Sequence, residues 1–272
     1  MPLSRVLVIQ PENGLCNRLR AFDSALQLAA EYGFGVVLSW NLGAGMNCPF
    51  ERLFEIPDRV ARVWTWSSFS RIDRLLLRAV RLAIRVTGGA ILDQAGVGRV
   101  LAGEVSIGSL AARHDRLFLR TASRFYGSER PYHGWRARSH ILAQVTRLVE
   151  QAGEGTVVGV HIRRGDHRIA RMRSPIDAFI LRMEQAVEED ADVRFIVATD
   201  DPSEAETLKG RFGARILCHP KRSVARSNPE AAEDALVDLL ALASTRRVIG
   251  SAGSSFSETA AEWGGIPLEV AC

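Results

Sequence analysis

Apolar runs and amphipathic segments alternate at the start of the chain. Residues 6–9 form a short apolar run that predicts a buried strand, and residues 17–32 place apolar side chains at helical spacing. Gly33 predicts the end of that helix, and residues 36–40 predict a second strand. A strand, a helix and a second strand in this order are typical of two parallel strands joined by a crossover helix.

The same alternation returns from about residue 139 to the end. Strands are predicted at 157–162, 194–199, 214–218 and 247–251, and helices at 139–151, 176–189, 203–212, 229–243 and 254–263. The segment between residues 41 and 135 is less regular, with strands predicted near Ile91 and Leu117. Repeated strand–helix alternation predicts an α/β fold with a Rossmann-like second half.

The composition is that of a globular protein long enough for two domains. The chain has 272 residues, of which 47% are hydrophobic and 24% charged, with a net charge of +4. So small a surplus suits an anionic small ligand or a membrane surface as well as a nucleic acid. No basic stretch is interleaved with aromatic residues, so we do not expect a nucleic-acid partner.

Cysteine and histidine spacing argues against a disulfide framework and against a metal site. Cys16, Cys48, Cys218 and Cys272 form no CxxC pair or zinc pattern, and four scattered thiols favour a reducing compartment. The first apolar run is too short for a signal peptide, and no apolar run could span a bilayer. We therefore expect a cytoplasmic protein with no bound metal.

The most informative segment is His161-Ile162-Arg163-Arg164-Gly165-Asp166, directly after a predicted strand. Ligands bind at the carboxyl ends of strands in open α/β sheets. Two guanidinium groups there suit a diphosphate, since each planar fork donates two parallel hydrogen bonds. The alternative is a turn with two solvated arginines and a structural ion pair.

Three further segments also follow predicted strands. The loop with Asn13 and Gly14 leads into a helix, Asp200 and Asp201 follow the strand at 194–199, and residues 251–257 are rich in serine. Hydroxyls and free amides at a helix start bind phosphate, and carboxylates accept hydrogen bonds from a base edge such as that of guanine. The alternatives are an Asp-Pro turn that caps the next helix and simple capping by serine.

These four motifs, in this order, resemble those of the fucosyltransferase superfamily. The matching stretches are Gly-Leu-x-Asn-Arg-Leu-Arg at 14–20, His-Ile-Arg-Arg-Gly-Asp at 161–166, Phe-Ile-Val-Ala-Thr-Asp-Asp-Pro at 195–202 and Ser-Ser-Phe-Ser-Glu-Thr-Ala at 254–260. That superfamily includes the α-1,6-fucosyltransferases, the nodulation fucosyltransferases and the protein O-fucosyltransferases. The resemblance spans residues 6–40 and 157–263.

The resemblance implies a GT-B fold, with two Rossmann-like domains whose mostly parallel sheets face a cleft. Residues 1–150 would form the domain on the acceptor side, and residues 151–272 the domain that binds the nucleotide-sugar. It also implies an inverting, metal-independent glycosyltransferase without a cofactor. GDP-fucose or a related GDP-sugar would be the donor, and a glycan or lipid-linked molecule the acceptor.

The resemblance also implies roles for residues at the matching positions. Arg163 would bind the β-phosphate and stabilise the departing GDP, which a metal-independent enzyme needs because charge develops there. Asn17 would face the donor sugar and the acceptor. The expected donor-nucleotide residues are His161, Arg163, Arg164, Asp200, Asp201, Ser254, Ser255 and Phe256, and the expected loop residues near the sugar are Asn13, Gly14 and Arg18.

Two departures from the family pattern concern chemistry. Cys16 stands where many relatives have glycine, and His167 and Arg171 stand where the α-1,6 enzymes have a lysine and a glutamate. His167 and Asp166 are then the candidates for accepting the acceptor's proton, and the sequence assigns this role to neither. Asp166 is better suited to an ion pair that orients Arg163 or Arg164.

A basic stripe is predicted on the helix at residues 71–86. Its arginines recur at steps of three and four, at Arg71, Arg74, Arg78, Arg81 and Arg85. Such a helix can lie on an anionic membrane surface, where a lipid-linked acceptor would be found. The alternative is an ordinary surface helix with a solvated face.

Two other functions fit parts of the pattern. The first is a metal-dependent phosphohydrolase using His161, Asp166, His167, Asp200 and Asp201, because carboxylates and imidazoles near strand ends also suit two metal ions. The second is a nucleotide-sugar-binding protein without catalysis, suggested by the missing glutamate. Activity in EDTA separates the first from the transferase, and GDP binding without turnover identifies the second.

Overall fold

A computed structural model of the chain describes residues 4–127, 129–165 and 168–272. The chain forms two compact units, one of Met1–Arg138 with Ala225–Ala232 and the other of Ser139–Val224 with Glu233–Cys272. Each unit has a five-stranded sheet in which every pair of neighbouring strands is parallel. The predicted α/β fold with parallel sheets is confirmed.

The first unit, called unit 1 below, has a sheet of strand order β3-β2-β1-β5-β4. Its strands are β1 (Val6–Pro11), β2 (Gly35–Leu42), β3 (Val60–Ser67), β4 (Ala90–Leu92) and β5 (Arg116–Thr121). Its helices are α1 (Leu15–Tyr32), α2 (Phe50–Leu53), α3 (Arg71–Val86), α4 (Gln94–Leu101) and α5 (Ile107–Arg113).

The core of unit 1 forms around β1 because that strand pairs on both sides and carries apolar side chains to both faces. Leu7 and Ile9 are fully buried. Phe22 of α1 packs edge-on against Phe50 and Trp135, with ring centroids 5.6 and 5.0 Å away. This aromatic packing anchors α1 and therefore the loop that precedes it.

The second unit, called unit 2 below, has a sheet of strand order β10-β9-β6-β7-β8. Its strands are β6 (Val157–Ile162), β7 (Arg194–Thr199), β8 (Ile216–Leu217), β9 (Val248–Ser251) and β10 (Leu268–Ala271). Its helices are α6 (Ser139–Ala152), α7 (Arg168–Arg173), α8 (Ile176–Glu189), α9 (Pro202–Phe212), most of α10 (Pro229–Ala243) and α11 (Ser255–Gly264).

Strand β6 is the centre of this second sheet, between β9 and β7. Val160 and Ile162 are fully buried and belong to a core cluster with Phe179 of α8 and Phe195 of β7. Because all these strands are parallel, the residues that follow β6, β7 and β9 lie at one edge of the sheet. The His161 motif, the paired aspartates and the serine-rich segment are therefore brought together.

The irregular middle of the chain holds several elements that the pattern did not predict, and β10 was also missed. Strand β3 is one of the two edge strands of unit 1, and its side chains are mostly exposed or half-buried, so it lacks a continuous apolar run. The strand predicted at 214–218 is reduced to β8, preceded by a single 3-10 turn at Gly213–Arg215. The division predicted at residue 150 falls inside α6, a helix that packs on β7 and β8 in unit 2.

Candidate functional site

Arg163 lies just beyond β6 and contacts the ends of both neighbouring strands. Its backbone N–H donates to Ser251 Oγ of β9 at 2.9 Å, and its guanidinium Nη1 donates to Asp200, the first residue after β7. The side chains of Arg163 and Asp200 are 23% and 25% exposed, so a ligand at the edge can reach this pair. The sequence predicted that these two residues share one site, and the structure brings them into contact.

Asp200 also fixes the turn of the arginine motif. Its second oxygen accepts the backbone N–H of Arg164 at 2.8 Å. A Cβ atom on Gly165 would lie 2.7 Å from Asp200 Oδ2, well inside van der Waals contact, so any other residue would displace this carboxylate. The glycine of the motif therefore allows Asp200 to keep its bonds to the turn.

Arg164 has a different environment from Arg163. It is only 8% exposed, its Nε pairs with Glu204 of α9, and its Nη1 donates to the carbonyl of Ser174 at 2.9 Å. The guanidinium also lies 5.9 Å from the ring centre of Phe179. Arg164 thus ties the motif to α8 and α9, which corresponds to the structural ion pair considered from sequence.

The imidazole of His161 contacts three residues of the segment after β9. Its Nδ1 lies 2.8 Å from Ser257 Oγ and 3.5 Å from Ser254 Oγ. Its ring stacks on Phe256, with centroids 4.5 Å apart and 20° between the planes. The position and orientation of the imidazole are therefore determined by α11.

The imidazole of His161 is uncharged at physiological pH. Burial, the larger cause, and the nearby positive charges of Arg163 and Lys221 together lower the pKa of His161 to about 3. A neutral ring donates or accepts a hydrogen bond but supplies no charge to an anion. Positive charge at this edge must therefore come from the arginine and the lysine.

The two adjacent aspartates have separate functions. Asp201 is the N-cap of α9 and accepts hydrogen bonds from Ser203 N at 3.0 Å and Ser203 Oγ at 2.7 Å. These bonds, the side-chain one first, hold the pKa of Asp201 below its usual value. The helix-capping interpretation thus describes Asp201, whereas Asp200 belongs to the arginine turn.

Ser254 stands at the N-cap position of α11, but its side chain makes no capping bond there and lies beside His161 instead. Ser255 begins the helix itself. Gly250 permits this arrangement, because a Cβ atom at that position would lie 2.5 Å from both Cβ and Oγ of Ser257. The backbone of β9 and the first turn of α11 are consequently in direct contact.

Several residues at this edge were not predicted from sequence. Ser251 and Ser257 bond to the motif, and Ser174 Oγ accepts the N–H of Ala252 at 2.9 Å. Lys221 pairs with buried Asp238 of α10. Its one sequence signal is rarity, since the chain has lysine only here and at Lys209.

In unit 1, Arg18 is buried beneath the first loop. It is 2% exposed, and it donates to the carbonyls of Asn13 at 2.8 Å and of Asn41 at 2.7 Å. Its guanidinium lies 4.8 Å from the ring centre of Trp40, and burial lowers its pKa to about 10. Arg18 therefore holds the loop in place from below.

The loop itself presents Asn13 and Gly14 at the carboxyl edge of the first sheet. Asn13 has φ of 66°, a left-handed conformation that asparagine tolerates better than most residues. Gly14 is the N-cap of α1, and Asn17 is half-buried in the first helical turn. Cys16, the departure from the family pattern, is 4% exposed.

Two polar side chains near this loop were also missed. Gln10 and Asn41 lie near the ends of β1 and β2, and the buried oxygens Gln10 Oε1 and Asn41 Oδ1 have no hydrogen-bond partner among the described residues. Buried oxygens without partners are costly unless a ligand or water binds them. The sequence pattern placed both residues in or beside strands and gave no sign of this.

Three further positions were singled out just after the arginine motif, namely Asp166, His167 and Arg171. Asp166 and His167 lie outside the described residues. Arg171 is exposed on α7. Within the described residues, no three side chains of the metal-binding types converge, and Asp200 and Asp201 are engaged as described above.

Comparison with known proteins gives structural matches only. No family model and no curated relative matches the sequence. The α-1,6-fucosyltransferase NodZ, known from Bradyrhizobium and solved after soaking with GDP-fucose, matches with a TM-score of 0.64 and 19% identity over 96% of this chain and 92% of that chain.

Two other solved enzymes match over nearly the whole chain. POFUT1 in complex with GDP has a TM-score of 0.59 and 14% identity over 98% of both chains. FUT1 of Arabidopsis thaliana, also solved with GDP, has a TM-score of 0.64 and 14% identity over 98% of this chain and 70% of that chain. This chain therefore shares its fold with these three solved fucosyltransferases.

Proposed function

We propose that this protein is an inverting, metal-independent glycosyltransferase that moves a sugar, fucose, from a GDP-sugar to a hydroxyl of a glycan or lipid-linked acceptor. The observation that carries the proposal is the position of Arg163. Its half-buried guanidinium lies at the carboxyl edge of unit 2 between His161 and Asp200, in the fold of enzymes solved with GDP.

Arg163 is suited to the leaving group. In the reaction, the acceptor oxygen bonds to the anomeric carbon while the bond from that carbon to the β-phosphate oxygen breaks. The electron pair of that bond stays on GDP, and the acceptor hydroxyl gives its proton to a base. An arginine fork directed at the diphosphate stabilises the new negative charge where it develops.

The other residues of the edge divide into those that meet the nucleotide and those that position them. His161, neutral and fixed by Ser257, offers Nε2 to the ligand. The start of α11 at Ser254 and Ser255 is proposed to meet the diphosphate, as the superfamily resemblance implies. Asp200 orients Arg163 until the phosphate arrives. Arg164 and Asp201 maintain the turn and the helix start, a revision of their expected role in contacting the nucleotide.

Asp166 or His167 is proposed as the base, and Asn17 as the residue that faces the sugar. These assignments follow the superfamily resemblance. Gln10 and Asn41 extend the proposed sugar-facing surface of unit 1, because their buried oxygens can accept hydrogen bonds from hydroxyl groups.

The decisive test is nucleotide binding and turnover in EDTA. A thermal-shift panel of GDP, ADP, UDP and CDP should show selective stabilisation by GDP, about 5–10 °C at a hundredfold excess over Kd. Release of GDP from GDP-fucose should continue in EDTA. Arg163→Lys keeps the charge but loses the fork, and should lower turnover by at least ~10–100-fold.

Exposed Arg147→Lys on α6 is the matched control and should behave as wild type. Loss of all activity in EDTA would favour the phosphohydrolase. GDP binding without transfer or donor hydrolysis would favour the non-catalytic binding protein. Normal turnover by Arg163→Lys would remove Arg163 from the mechanism.

A further inference from the structure

Helix α3 of unit 1 has three distinct faces, and one of them supplies its apolar contacts with the sheet. Leu77, Val80 and Ile84 contact the sheet in a cluster with Val8 and Phe118. Ile84 is the one buried residue of the sixteen in this helix. Most of the helix surface is therefore directed away from the core.

The second face is apolar and exposed. At 100° per residue, its large side chains fall within about a third of the helix circumference. They are Ile72, Leu75, Leu76, Leu82 and Val86, with 71%, 60%, 50%, 60% and 72% of their surface exposed. Phe69, just before the N-cap Ser70, is 76% exposed. A contiguous apolar face of this kind marks an interaction site in a protein that must stay in solution.

The third face is the arginine stripe predicted from sequence. Arg71, Arg74, Arg78 and Arg85 are exposed, and half-buried Arg81 lies 5.4 Å from the ring centre of Phe118. The stripe runs directly beside the exposed apolar face. The surface-helix alternative accounts for the stripe but leaves the exposed leucines unexplained.

The charge of the whole protein resides in this helix. Five arginines and one aspartate give α3 a net charge of +4, which equals the net charge of the chain. The aspartate, Asp73, accepts the N–H of Ser67 at 3.0 Å and so is used in the start of the helix. The remainder of the chain has equal numbers of acidic and basic residues, so α3 accounts for the net positive charge.

The combination selects an anionic membrane surface as the partner. A helix of sixteen residues is about 24 Å long, and no helix in the described part of the chain is long and apolar enough to cross a bilayer. An interfacial helix instead inserts its apolar side chains below the headgroups while arginines reach the lipid phosphates. A second copy on the same face would bring two arginine stripes together, which like-charge repulsion opposes.

We propose that unit 1 docks through α3 on bilayers that contain anionic phospholipid, with the leucine-rich face inserted and the arginine stripe at the phosphates. This goes beyond the proposed glycosyl transfer and does not depend on it. The function of such docking is to hold the protein at a surface where lipid-linked hydroxyl groups are concentrated.

The test is co-sedimentation of the full chain with vesicles of phosphatidylcholine alone or mixed with phosphatidylglycerol. Wild type should bind the mixed vesicles, and added salt should release it. The apolar-face variant (Ile72→Gln, Leu75→Gln, Leu82→Gln) and the stripe variant (Arg71→Gln, Arg78→Gln, Arg85→Gln) should each lose about a hundredfold in partitioning.

Two control variants change exposed residues outside α3. The first carries Leu101→Gln, Leu142→Gln and Leu181→Gln, and the second carries Arg99→Gln, Arg113→Gln and Arg147→Gln. Both should bind as wild type, and all variants should keep its melting temperature and GDP binding. Absence of wild-type binding to mixed vesicles would overturn the proposal. Undiminished binding by the apolar-face variant would also overturn it. A wild-type dimer in solution that only the apolar-face variant abolishes would do the same.

Discussion

Asp200 holds the guanidinium of Arg163 at the edge of the second sheet and, with its other oxygen, binds the backbone of the next residue. Both side chains of this pair are about a quarter exposed. Ion pairs in contact with water contribute only ~0–1 kcal/mol, so a diphosphate can replace the carboxylate at little cost. The pair therefore suits an arginine that is oriented before its ligand arrives.

Removing the Asp200 carboxylate should affect transfer more than binding. In Asp200→Ala, loss of the carboxylate removes its repulsion of GDP, which favours binding. The guanidinium of Arg163 is then less ordered, which disfavours binding, so the two effects on the Kd offset each other. We expect the Kd for GDP to change less than about threefold while kcat falls about tenfold or more, because the transition state requires the oriented fork. Calorimetry and a GDP-release assay measure the two quantities.

The neighbouring Asp201→Ala is a matched control for this prediction. Loss of the α9 N-cap should cost about 1 kcal/mol and lower Tm by about 2–4 °C, with kcat unchanged. If the two variants exchanged these outcomes, the assignment of Asp200 to the site and Asp201 to the helix would be wrong.

His161 should make stability depend on pH at the acid end. Its pKa is lowered from 6.5 to about 3 on folding, so between these values the unfolded chain binds a proton that the folded protein does not. The free energy of unfolding should rise with pH across this window and level off above pH 6.5. The contribution of His161 is up to ~1.4 kcal/mol per pH unit.

Urea unfolding at several pH values, compared between wild type and His161→Gln, isolates this contribution. The slope of the variant should be smaller than that of wild type by up to ~1.4 kcal/mol per pH unit, whatever its absolute stability. An NMR titration in which the imidazole of His161 protonates near pH 6 would contradict this prediction.

Arg164 should prove structural. Arg164→Met leaves the carboxylate of Glu204 without its partner in a largely buried place, and we expect the free energy of unfolding to fall by about 2–4 kcal/mol. Replacing both residues, as Arg164→Met with Glu204→Leu, should cost less than the sum of the single changes. Denaturant titrations of wild type, the two single variants and the double variant measure these changes. If Arg164→Met lost GDP binding while its stability stayed unchanged, Arg164 would be assigned to ligand binding.

Gly250→Ala tests the close contact between β9 and α11. The added Cβ atom would lie 2.5 Å from Ser257, so the helix start must move, at a cost of about 1–3 kcal/mol and with Ser257 displaced from His161. Tm and GDP affinity should both fall. Gly210→Ala, within α9 where a Cβ atom has open space, is the control and should leave Tm equal or slightly higher.

The elements that could be predicted are those with a complete local pattern. The apolar run of β6, and Pro229 followed by acidic residues at the start of α10, are signals contained within a few neighbouring residues. Edge strand β3 was not predicted, and short β8 was predicted too long, because the burial of each depends on which strands lie beside it. The sequence placed Arg163, Asp200 and Ser254 after strands, and parallel pairing then made them neighbours.

Residue chemistry, helical spacing and the order of the motifs follow from the chain alone, because each depends on residues close in sequence. From them come the α/β architecture, the arginine motif and the basic stripe. The division of roles does not follow from them: Arg163 is half-buried while Arg164 is buried, Asp200 meets the arginine while Asp201 caps a helix, and α3 leaves its leucines uncovered. Adjacent residues of the same type differ in this way because partners distant in sequence determine which is buried and which is bound.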